Sequence, residues 1–239
     1  MGSVAPIFKK EFLGYFQSPI AYIFLTVFLI LMHGLLFWAT GFLVIGQADL
    51  RDFFGLMSIV LVFFVPAISM RLWAEEMKLG TMELLMTFPV RDWEAVIGKY
   101  LAALAMIALA ILLTIPLPIT IGLFGNPDAG PIIGGYLGAL LLSAAYLAIG
   151  AWTSSTTSNQ IISFILGLLI LLVASLGLDW IRQFSPGWLA TWLAYFSLRT
   201  HFDSIARGVV DIRDVVFYLS VIGFFLYLNV RSVESRKWS

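Results

Sequence analysis

The chain has 239 residues, of which 61% are hydrophobic and only 12% carry a charge. Soluble domains carry about 25% charged residues, so this chain has too few charges for a soluble surface of its size. Its 14 Lys and Arg balance its 14 Asp and Glu, which argues against the basic face of a nucleic-acid-binding protein. The absence of Cys excludes a disulfide scaffold, a thiolate metal site and a cysteine nucleophile. An integral membrane protein is the class that remains.

The first predicted element is a helix that lies on the membrane surface. Residues 7–16 place aromatic and aliphatic side chains beside Lys9 and Lys10, a combination typical of interfacial helices. Pro19 then turns the chain into the membrane. The apolar stretch that follows is too long and too late in the chain for a signal peptide.

Six uncharged apolar stretches follow, each close to the roughly 20 residues that a helix needs to cross the hydrocarbon core. A membrane β-barrel would instead show strands of about ten residues with alternating polarity. We therefore predict an all-α integral membrane protein with one transmembrane domain over residues 1–239. Its predicted spans cover residues 20–45, 53–70, 100–124, 132–152, 161–178 and 215–230.

The charges predict the orientation. Six spans place both termini, the loop 71–99 and the linker 153–160 on one side of the membrane. That side carries nine Lys and Arg against five on the other, and it holds every Lys. Every Glu is also on that side, and every Asp except Asp92 is on the other. By the positive-inside rule, both termini are cytoplasmic.

The cytoplasmic segment between spans two and three contains a predicted short helix. Thr81 is a natural N-cap, Glu83 favours the positive end of a helix dipole, and Pro89 ends the helix at about Phe88. Asp92 is the predicted cap of the next helix, which enters the third span. The short helix could lie in the headgroup region. Alternatively, it could dock into a soluble partner through its apolar side chains, namely Leu84, Leu85, Met86 and Phe88.

The residues from Glu76 to Val90, followed by Ile97 to Ala102, resemble a known pattern. They are similar to the E-x-x-x-G-T-x-E-x-L-L-T-x-P-V … G-K-x-L-A signature of ABC-2 type transporter permeases. One small departure is Met86-Thr87-Phe88-Pro89, where the family usually has leucine-threonine-x-proline. The closest subgroup is the six-span permease of gliding-motility-type and copper-site-maturation-type bacterial ABC transporters. The resemblance covers essentially the whole chain, including the amphipathic start and residues 200–211.

This resemblance implies a bacterial inner-membrane permease subunit without enzymatic activity of its own. It implies two six-span subunits (a homodimer or a pair of paralogues) with two cytoplasmic ATPase subunits that bind ATP and Mg, and it leaves room for a periplasmic accessory protein. The chain itself lacks G-x-x-x-x-G-K-[ST], because Gly98-Lys99 is followed by Tyr100 and lacks the upstream glycine. The expected ATPase-docking residues of the coupling helix are Glu76, Gly80, Thr81, Glu83, Leu84, Leu85, Met86, Phe88 and Pro89.

The external segment 179–214 predicts two short helices that dip into the outer leaflet. Aromatic residues recur every four positions in the first, a pattern that favours the membrane interface; they are Phe184, Trp188, Trp192 and Phe196. The second has an apolar face of Phe202, Ile205, Ala206 and Val209, with Arg199, Asp203 and Arg207 opposite and Gly208 as its terminator. These helices could anchor and pack the bundle, or they could contact a substrate. Related permeases have a comparable re-entrant pair before the last span.

Other polar or small residues carry weaker signals. His33 stands alone in the first span, so a packed or hydrogen-bonded role competes with a metal or proton site. His201 is expected to join Arg199 and Asp203, and no metal-ligand quartet is present. The stripe Gly130, Gly134 and Gly138 predicts close helix packing, within or between subunits. Helix kinks are expected at Pro66, Pro116 and Pro118.

Two classes of function therefore compete. The leading hypothesis is an ABC permease subunit driven by a separate ATPase, for export or for conformational signalling across the membrane. An ion-coupled secondary transporter or channel is the alternative, and it should place ionisable groups at membrane depth. Only His33 meets that requirement in the sequence. An intramembrane enzyme would need a polar catalytic pair, which the spans lack.

Overall fold

The computed structural model describes residues 4–40, 42, 49–82 and 91–236. Within these ranges the regular structure is helical and no strand occurs. The helices are α1 (Val4–Phe16), α2 (Pro19–Ala39), α3 (Arg51–Ser69), α4 (Ala74–Leu79), α5 (Asp92–Leu112), α6 (Pro116–Phe124), α7 (Ala129–Thr156), α8 (Gln160–Leu172), a π-helix (Val173–Gly177), α9 (Leu178–Gln183), α10 (Gly187–Phe196), α11 (Leu198–Ala206) and α12 (Ile212–Ser235).

In the described part of the chain, six helical runs are long and apolar enough to cross a membrane, as predicted. The last is longer at both ends than residues 215–230, and the fifth continues through the π-helix into α9. The predicted first span runs on to Ile45, and residues 43–48 lie outside the described residues. The six runs are Pro19–Ala39, Arg51–Leu79, Asp92–Phe124, Ala129–Thr156, Gln160–Gln183 and Ile212–Ser235.

Short polar side chains begin several of these helices. Ser18 accepts from the Ile20 amide at 3.3 Å, and Asp128 accepts from the Gly130 amide at 3.1 Å. Asn159 and Asp211 do the same for α8 and α12, each at 2.9 Å. Each cap satisfies an amide that has no partner in the first turn, so these residues define where the helices start.

The three prolines predicted to kink helices differ in effect. Pro66 lies inside α3, which continues past it. Residues 113–115 interrupt the third run, and Pro116 opens α6 at a position where its missing N–H costs nothing. Pro118 lies in that same first turn. The Thr114 hydroxyl donates to the Ile111 carbonyl at 2.6 Å in the interruption.

Helix α7 is the centre of the bundle. It packs against α3, α5, α8, α11 and α12, whereas α2 contacts chiefly α3 and α1. In the most apolar 18-residue stretch of each helix, 67% of the residues are buried in α7, but only 22% are buried in α2 and 11% in α12. The outer helices therefore present wide apolar faces, which suits a chain surrounded by lipid or by another subunit.

The first described helix and the end of the last one lie at the same end of the bundle. Helix α1 packs on α5, where Ile7 meets Gly98. The last residues of α12 bond to the end of α7, because Arg236 Nε donates to the Ser155 carbonyl at 3.1 Å. We call this the Lys99 end. The opposite, Arg199 end holds the start of α7 and helices α9 to α11.

Candidate functional site

The segment predicted to dock a partner begins after α4. Gly80 ends this helix in the left-handed conformation, with a φ of 68° that side chains with a Cβ rarely adopt. Its amide bonds back to the Met77 carbonyl at 3.3 Å. Gly80 is thus a required turn residue between α4 and the segment that follows.

Thr81 differs from its predicted role as an N-cap. It is already helical, and its hydroxyl donates to the Glu76 carbonyl at 3.4 Å, so it contacts the end of α4. Met82 is helical and buried. The remaining predicted docking residues lie outside the described residues; they are Glu83, Leu84, Leu85, Met86, Phe88 and Pro89.

A buried cation lies against α4, the helix that precedes this segment. Lys99 is 2% exposed, and its Nζ lies 2.8 Å from Glu76 Oε1 and 3.0 Å from Glu11 Oε1. The same Nζ lies 5.4 Å from the centre of the Trp73 ring, within cation–π range. We call Lys99, Glu11 and Glu76 the Lys99 cluster. It connects three helices, since α1 carries Glu11, α4 carries Glu76 and α5 carries Lys99.

The ion pairs of this cluster are stable only at short distances between the charged groups, because Lys99 is buried. A buried ion pair recovers its desolvation cost only when the contacts are close, and loss of one partner costs about 3–5 kcal/mol. One ammonium here serves two carboxylates, and Glu76 Oε2 has no hydrogen-bond partner among the described residues. The position of α4 is therefore coupled to those of α1 and α5.

Gly98 allows α1 to approach α5 closely enough for this contact. A Cβ at position 98 would lie 2.8 Å from Ile7 Cγ2, closer than real Cβ atoms come to their neighbours. Ile7 and Glu11 are four residues apart and share one face of α1. They contact the adjacent residues Gly98 and Lys99. This spacing is a signal from which the pairing of Glu11 could have been inferred.

The start of α5 corrects another prediction. Arg91, not Asp92, is the N-cap, and its amide donates to Glu94 Oε2 at 3.1 Å in a capping-box arrangement. Asp92 instead occupies the first turn, where its carboxylate favours the positive end of the helix dipole.

Ser154 attaches the turn before α4 to the central helix. Its hydroxyl oxygen accepts from the amides of Trp73 at 3.1 Å and Ala74 at 3.2 Å, and it donates to the Met70 carbonyl at 3.0 Å. The sequence predicts a linker over residues 153–160, whereas α7 continues to Thr156. In the structure, the buried end of α7 supplies the hydroxyl that the unpaired amides of α4 need.

The first helix between the fifth and sixth runs is strongly exposed. In α10, Trp188 is 70% exposed and Trp192 is 62% exposed, and no residue of the helix is buried. The predicted stripe is shorter than expected, because Phe184 lies in the turn after α9 and not on α10. An exposed aromatic face of this kind suits a membrane interface.

The second helix, α11, packs inward through part of its predicted apolar face. Phe202 and Ile205 are buried, and Gly208 ends the turn with a φ of 92°. Val209 is 69% exposed and lies beyond the helix, so it is not part of the apolar face. The left-handed glycine reverses the chain before α12 and removes Val209 from the face.

The charged face of α11 contains one ion pair in the described structure. Arg199 Nε lies 3.9 Å from Asp203 Oδ2. Burial raises the pKa of Asp203 above its usual value, although Arg199 and Arg207 oppose this effect. The pair is long and partly exposed, so it contributes little to stability.

His201 does not join Arg199 and Asp203, contrary to prediction. Its Nδ1 lies 2.7 Å from Asp214 Oδ1, and its Nε2 lies 3.1 Å from the Tyr195 carbonyl. The ring stacks on Phe217 at a centroid distance of 3.9 Å. His201 therefore connects the end of α10 with the start of α12.

The glycine stripe packs within the subunit. A Cβ on Gly134 would collide with the Ile205 carbonyl oxygen, and a Cβ on Gly138 would lie 3.1 Å from the Phe202 ring. A Cβ on Gly208 would lie 2.7 Å from the Gly130 carbonyl carbon. Helix α11 therefore packs directly on the backbone of α7, where the glycines have no side chains. The predicted close contact is between two helices of the same chain.

His33 makes a local contact in α2. Its Nδ1 lies 2.8 Å from the Leu29 carbonyl one turn earlier. This geometry agrees with the hydrogen-bonded role weighed in the sequence analysis.

In the described residues, several helices pack together at each end of the bundle, and α7 connects the two ends. The Lys99 end joins α1, α4, α5 and α7 directly before residues 83–90. The Arg199 end joins α10, α11 and α12 to the start of α7.

Comparison with known families identifies the chain. The family model described as ABC-2 family transporter protein matches residues 46–228, which is more than half of the sequence. A comparison with curated proteins gives no significant match. With its six apolar helical runs, the chain is a multi-pass membrane protein that belongs to the ABC-2 transporter family.

Proposed function

We propose that this chain is the permease subunit through which a separate ATPase drives conformational change across the bacterial inner membrane. Membership of the ABC-2 family supports an ATPase partner in general terms. We further propose that residues 80–89 are the coupling helix and that both termini are cytoplasmic. The direction of coupling is export or signalling to the outside, as in the gliding-motility-type or copper-site-maturation-type subgroup.

The Lys99 cluster is the observation that supports this proposal most. A docking helix must pass displacement to the membrane helices, and it cannot do so through a loosely attached loop. The residues directly before the proposed coupling helix are held by Lys99 on α5 and by Ser154 on α7. A push on residues 80–89 would therefore move α4, and the buried ion pairs would pass that movement to α1 and α5.

The remaining parts of the complex follow from the same proposal. ATP and Mg bind to the ATPase subunits, and this chain carries no catalytic residue. A second permease subunit, identical or paralogous, completes the membrane part, and the exposed apolar faces of α2, α8 and α12 supply surface for it. A periplasmic protein could contact the Arg199 end, where α10 exposes Trp188 and Trp192.

Co-purification with an ATPase tests the docking proposal. The double change Leu84→Asp and Leu85→Asp should detach the ATPase subunit that co-purifies with the unchanged chain, because two carboxylates cannot enter an apolar groove. The retained ATPase should fall to less than about a tenth of the amount bound by the unchanged chain, which corresponds to a loss of about 1.4 kcal/mol or more.

A matched control introduces the same two charges elsewhere. Val209 and Val210 are adjacent, apolar and exposed, and they lie at the Arg199 end. Val209→Asp with Val210→Asp should leave the ATPase bound. Retention of the ATPase by the Leu84 and Leu85 variant, with transport or signalling unchanged, would refute the assignment of the coupling helix.

A further inference from the structure

Two adjoining cavities open at the Lys99 end, and Glu11 of the Lys99 cluster lines the second of them. The first, of about 290 Å³, is an apolar groove between α2 and α3. The second, of about 250 Å³, is a polar pocket between α1 and the turn before α4. Tyr15, Ile20 and Arg71 line both, so the two cavities form one continuous amphiphilic site. Each is close to the lower end of the roughly 300–1,000 Å³ that ligand pockets span.

The groove has the character of a site for an acyl chain. Its walls are aliphatic and aromatic side chains, among them Phe24, Val27, Phe64 and Ala67. Ile23 is 60% exposed and Val27 is 42% exposed, so the groove opens sideways on the outer surface of the bundle. In a multi-pass membrane protein this opening faces the hydrocarbon, from which an acyl chain can enter.

The polar pocket has balanced charge. It is lined by two cations, Lys10 and Arg71, and by two carboxylates, Glu11 and Glu75. Arg71 donates to Glu75 from Nε at 2.6 Å and from Nη2 at 3.0 Å. Lys10 is exposed at the rim. An anionic head group would meet the two carboxylates, and a cationic one would meet Lys10 and Arg71.

We propose that this site binds a zwitterionic phospholipid whose head group carries a primary ammonium. One acyl chain lies in the groove between α2 and α3, the phosphate faces Lys10 and Arg71, and the ammonium donates to the carboxylates of Glu11 and Glu75. A choline head group has no N–H to donate, and a glycerol head group has no positive charge, so both complement the pocket less well.

The bound lipid would contact both α1 and the turn that precedes α4. Helix α1 carries Glu11 and the turn carries Trp73, and both contact Lys99. The lipid would therefore stabilise the arrangement that the Lys99 cluster requires. This inference depends on the membrane location of the chain and is independent of whether an ATPase docks at residues 80–89.

Native mass spectrometry of the purified chain tests the proposal. The chain is exchanged into nanodiscs with equal amounts of phosphatidylethanolamine, phosphatidylcholine and phosphatidylglycerol of the same acyl chains, then released and analysed for retained lipid. Phosphatidylethanolamine should be retained at least about fivefold over each of the others, the ratio expected from one additional partly exposed ion pair.

Two pairs of variants locate the site. Ala67→Phe fills the groove and should abolish the selective retention, whereas Ala108→Phe, at a half-buried alanine that lines neither cavity, should leave it unchanged. Lys10→Gln removes a partner of the phosphate and should lower the retained amount of phosphatidylethanolamine about threefold, whereas Lys9→Gln, at the exposed lysine beside it, should not. The lysine changes alter only exposed side chains, so they remain informative if Ala67→Phe fails to fold.

Equal retention of the three lipids would show ordinary surrounding lipid only and would overturn the proposal. Preferred retention of phosphatidylglycerol would show an anionic site and would overturn it as well. Neither result would bear on ATPase docking, which is measured separately by co-purification.

Discussion

Lys99 shows how much one side chain can determine in a membrane protein. Burial of an ammonium is unfavourable unless carboxylates surround it, and here Glu11 and Glu76 come from different helices. The resulting cluster makes the position of α1 depend on α4, although more than sixty residues separate Glu11 from Glu76 in the chain.

Replacement of Lys99 should destabilise the chain strongly. Lys99→Met leaves two carboxylates without a counter-charge, and we expect a loss of about 3 kcal/mol, at the lower end of the range for buried pairs because both carboxylates retain some exposure. For a chain of this size the apparent melting temperature in detergent should fall by about 6–12 °C. Thermal unfolding followed by tryptophan fluorescence measures it.

The control for this change is Lys78→Met. Lys78 is exposed on α4 and should change the melting temperature by no more than about 2 °C. If Lys99→Met unfolds at the same temperature as Lys78→Met, the cluster does not hold the helices together.

At the scale of helices, the contact between α7 and α11 depends on the absence of side chains. Gly134 and Gly138 leave the backbone of α7 bare over one face, and the turn from Ile205 to Gly208 lies against it. Small residues allow membrane helices to approach in this way, because close packing there replaces the hydrophobic effect as the source of association.

A single methyl group should disturb this contact. In Gly134→Ala the new Cβ meets the Ile205 carbonyl oxygen, a backbone atom that cannot rotate away, so we expect a loss of about 1–3 kcal/mol in the free energy of unfolding. Gly55→Ala is the matched control, since no atom lies within 4 Å of the Cβ it would add. That control should be neutral or gain up to about 1 kcal/mol from helix propensity.

Denaturant titration in detergent, followed by circular dichroism, compares the two variants. Equal stability of Gly134→Ala and Gly55→Ala would mean that α11 is not packed on the glycine stripe.

At the scale of the whole molecule, the bundle separates two chemically different ends. The Lys99 end carries α1, the end of α12, and α4, the helix before the segment proposed to meet an ATPase. The Arg199 end carries the exposed aromatic face of α10 and the left-handed turn at Gly208. Helix α7 is the structural connection between them, since it contacts α3, α5, α8, α11 and α12 along its length.

The orientation proposed for these ends is open to direct measurement. The natural chain has no Cys, so single cysteines can be introduced without a background. Asn126→Cys and Ser158→Cys lie at exposed positions at opposite ends of the bundle. In intact cells a membrane-impermeant maleimide should label Asn126→Cys and leave Ser158→Cys unlabelled, and inverted vesicles should give the opposite pattern. The reverse result would overturn the cytoplasmic placement of the termini.

The number and approximate position of the membrane helices were predictable from sequence because hydropathy and chain length are local properties. Each apolar run must satisfy its own backbone hydrogen bonds within the membrane, so a helix of about 20 residues is required wherever the run occurs. Gly208 was likewise recognisable as the end of a helix, since its backbone conformation is set by the residue itself.

The partners of polar side chains were not predictable in this way. His201 pairs with Asp214 and not with Asp203. The N-cap of α5 is Arg91 and not Asp92. Sequence spacing can place residues on one face of one helix, but it cannot say which face of another helix will meet them. That choice depends on how the whole bundle packs.

By itself, therefore, the sequence determined an all-helical membrane protein with six spans, sorted charges and a family signature between the second and third. The contacts between helices follow only from the tertiary structure. It brings Glu11, Glu76 and Lys99 together and packs α11 on the glycine stripe. It also forms the amphiphilic site that α1 and α2 border. The physical reason is that span formation follows from local burial of backbone in lipid. Ion pairs and close contacts between helices require atoms distant in the chain to be brought within a few ångströms by packing.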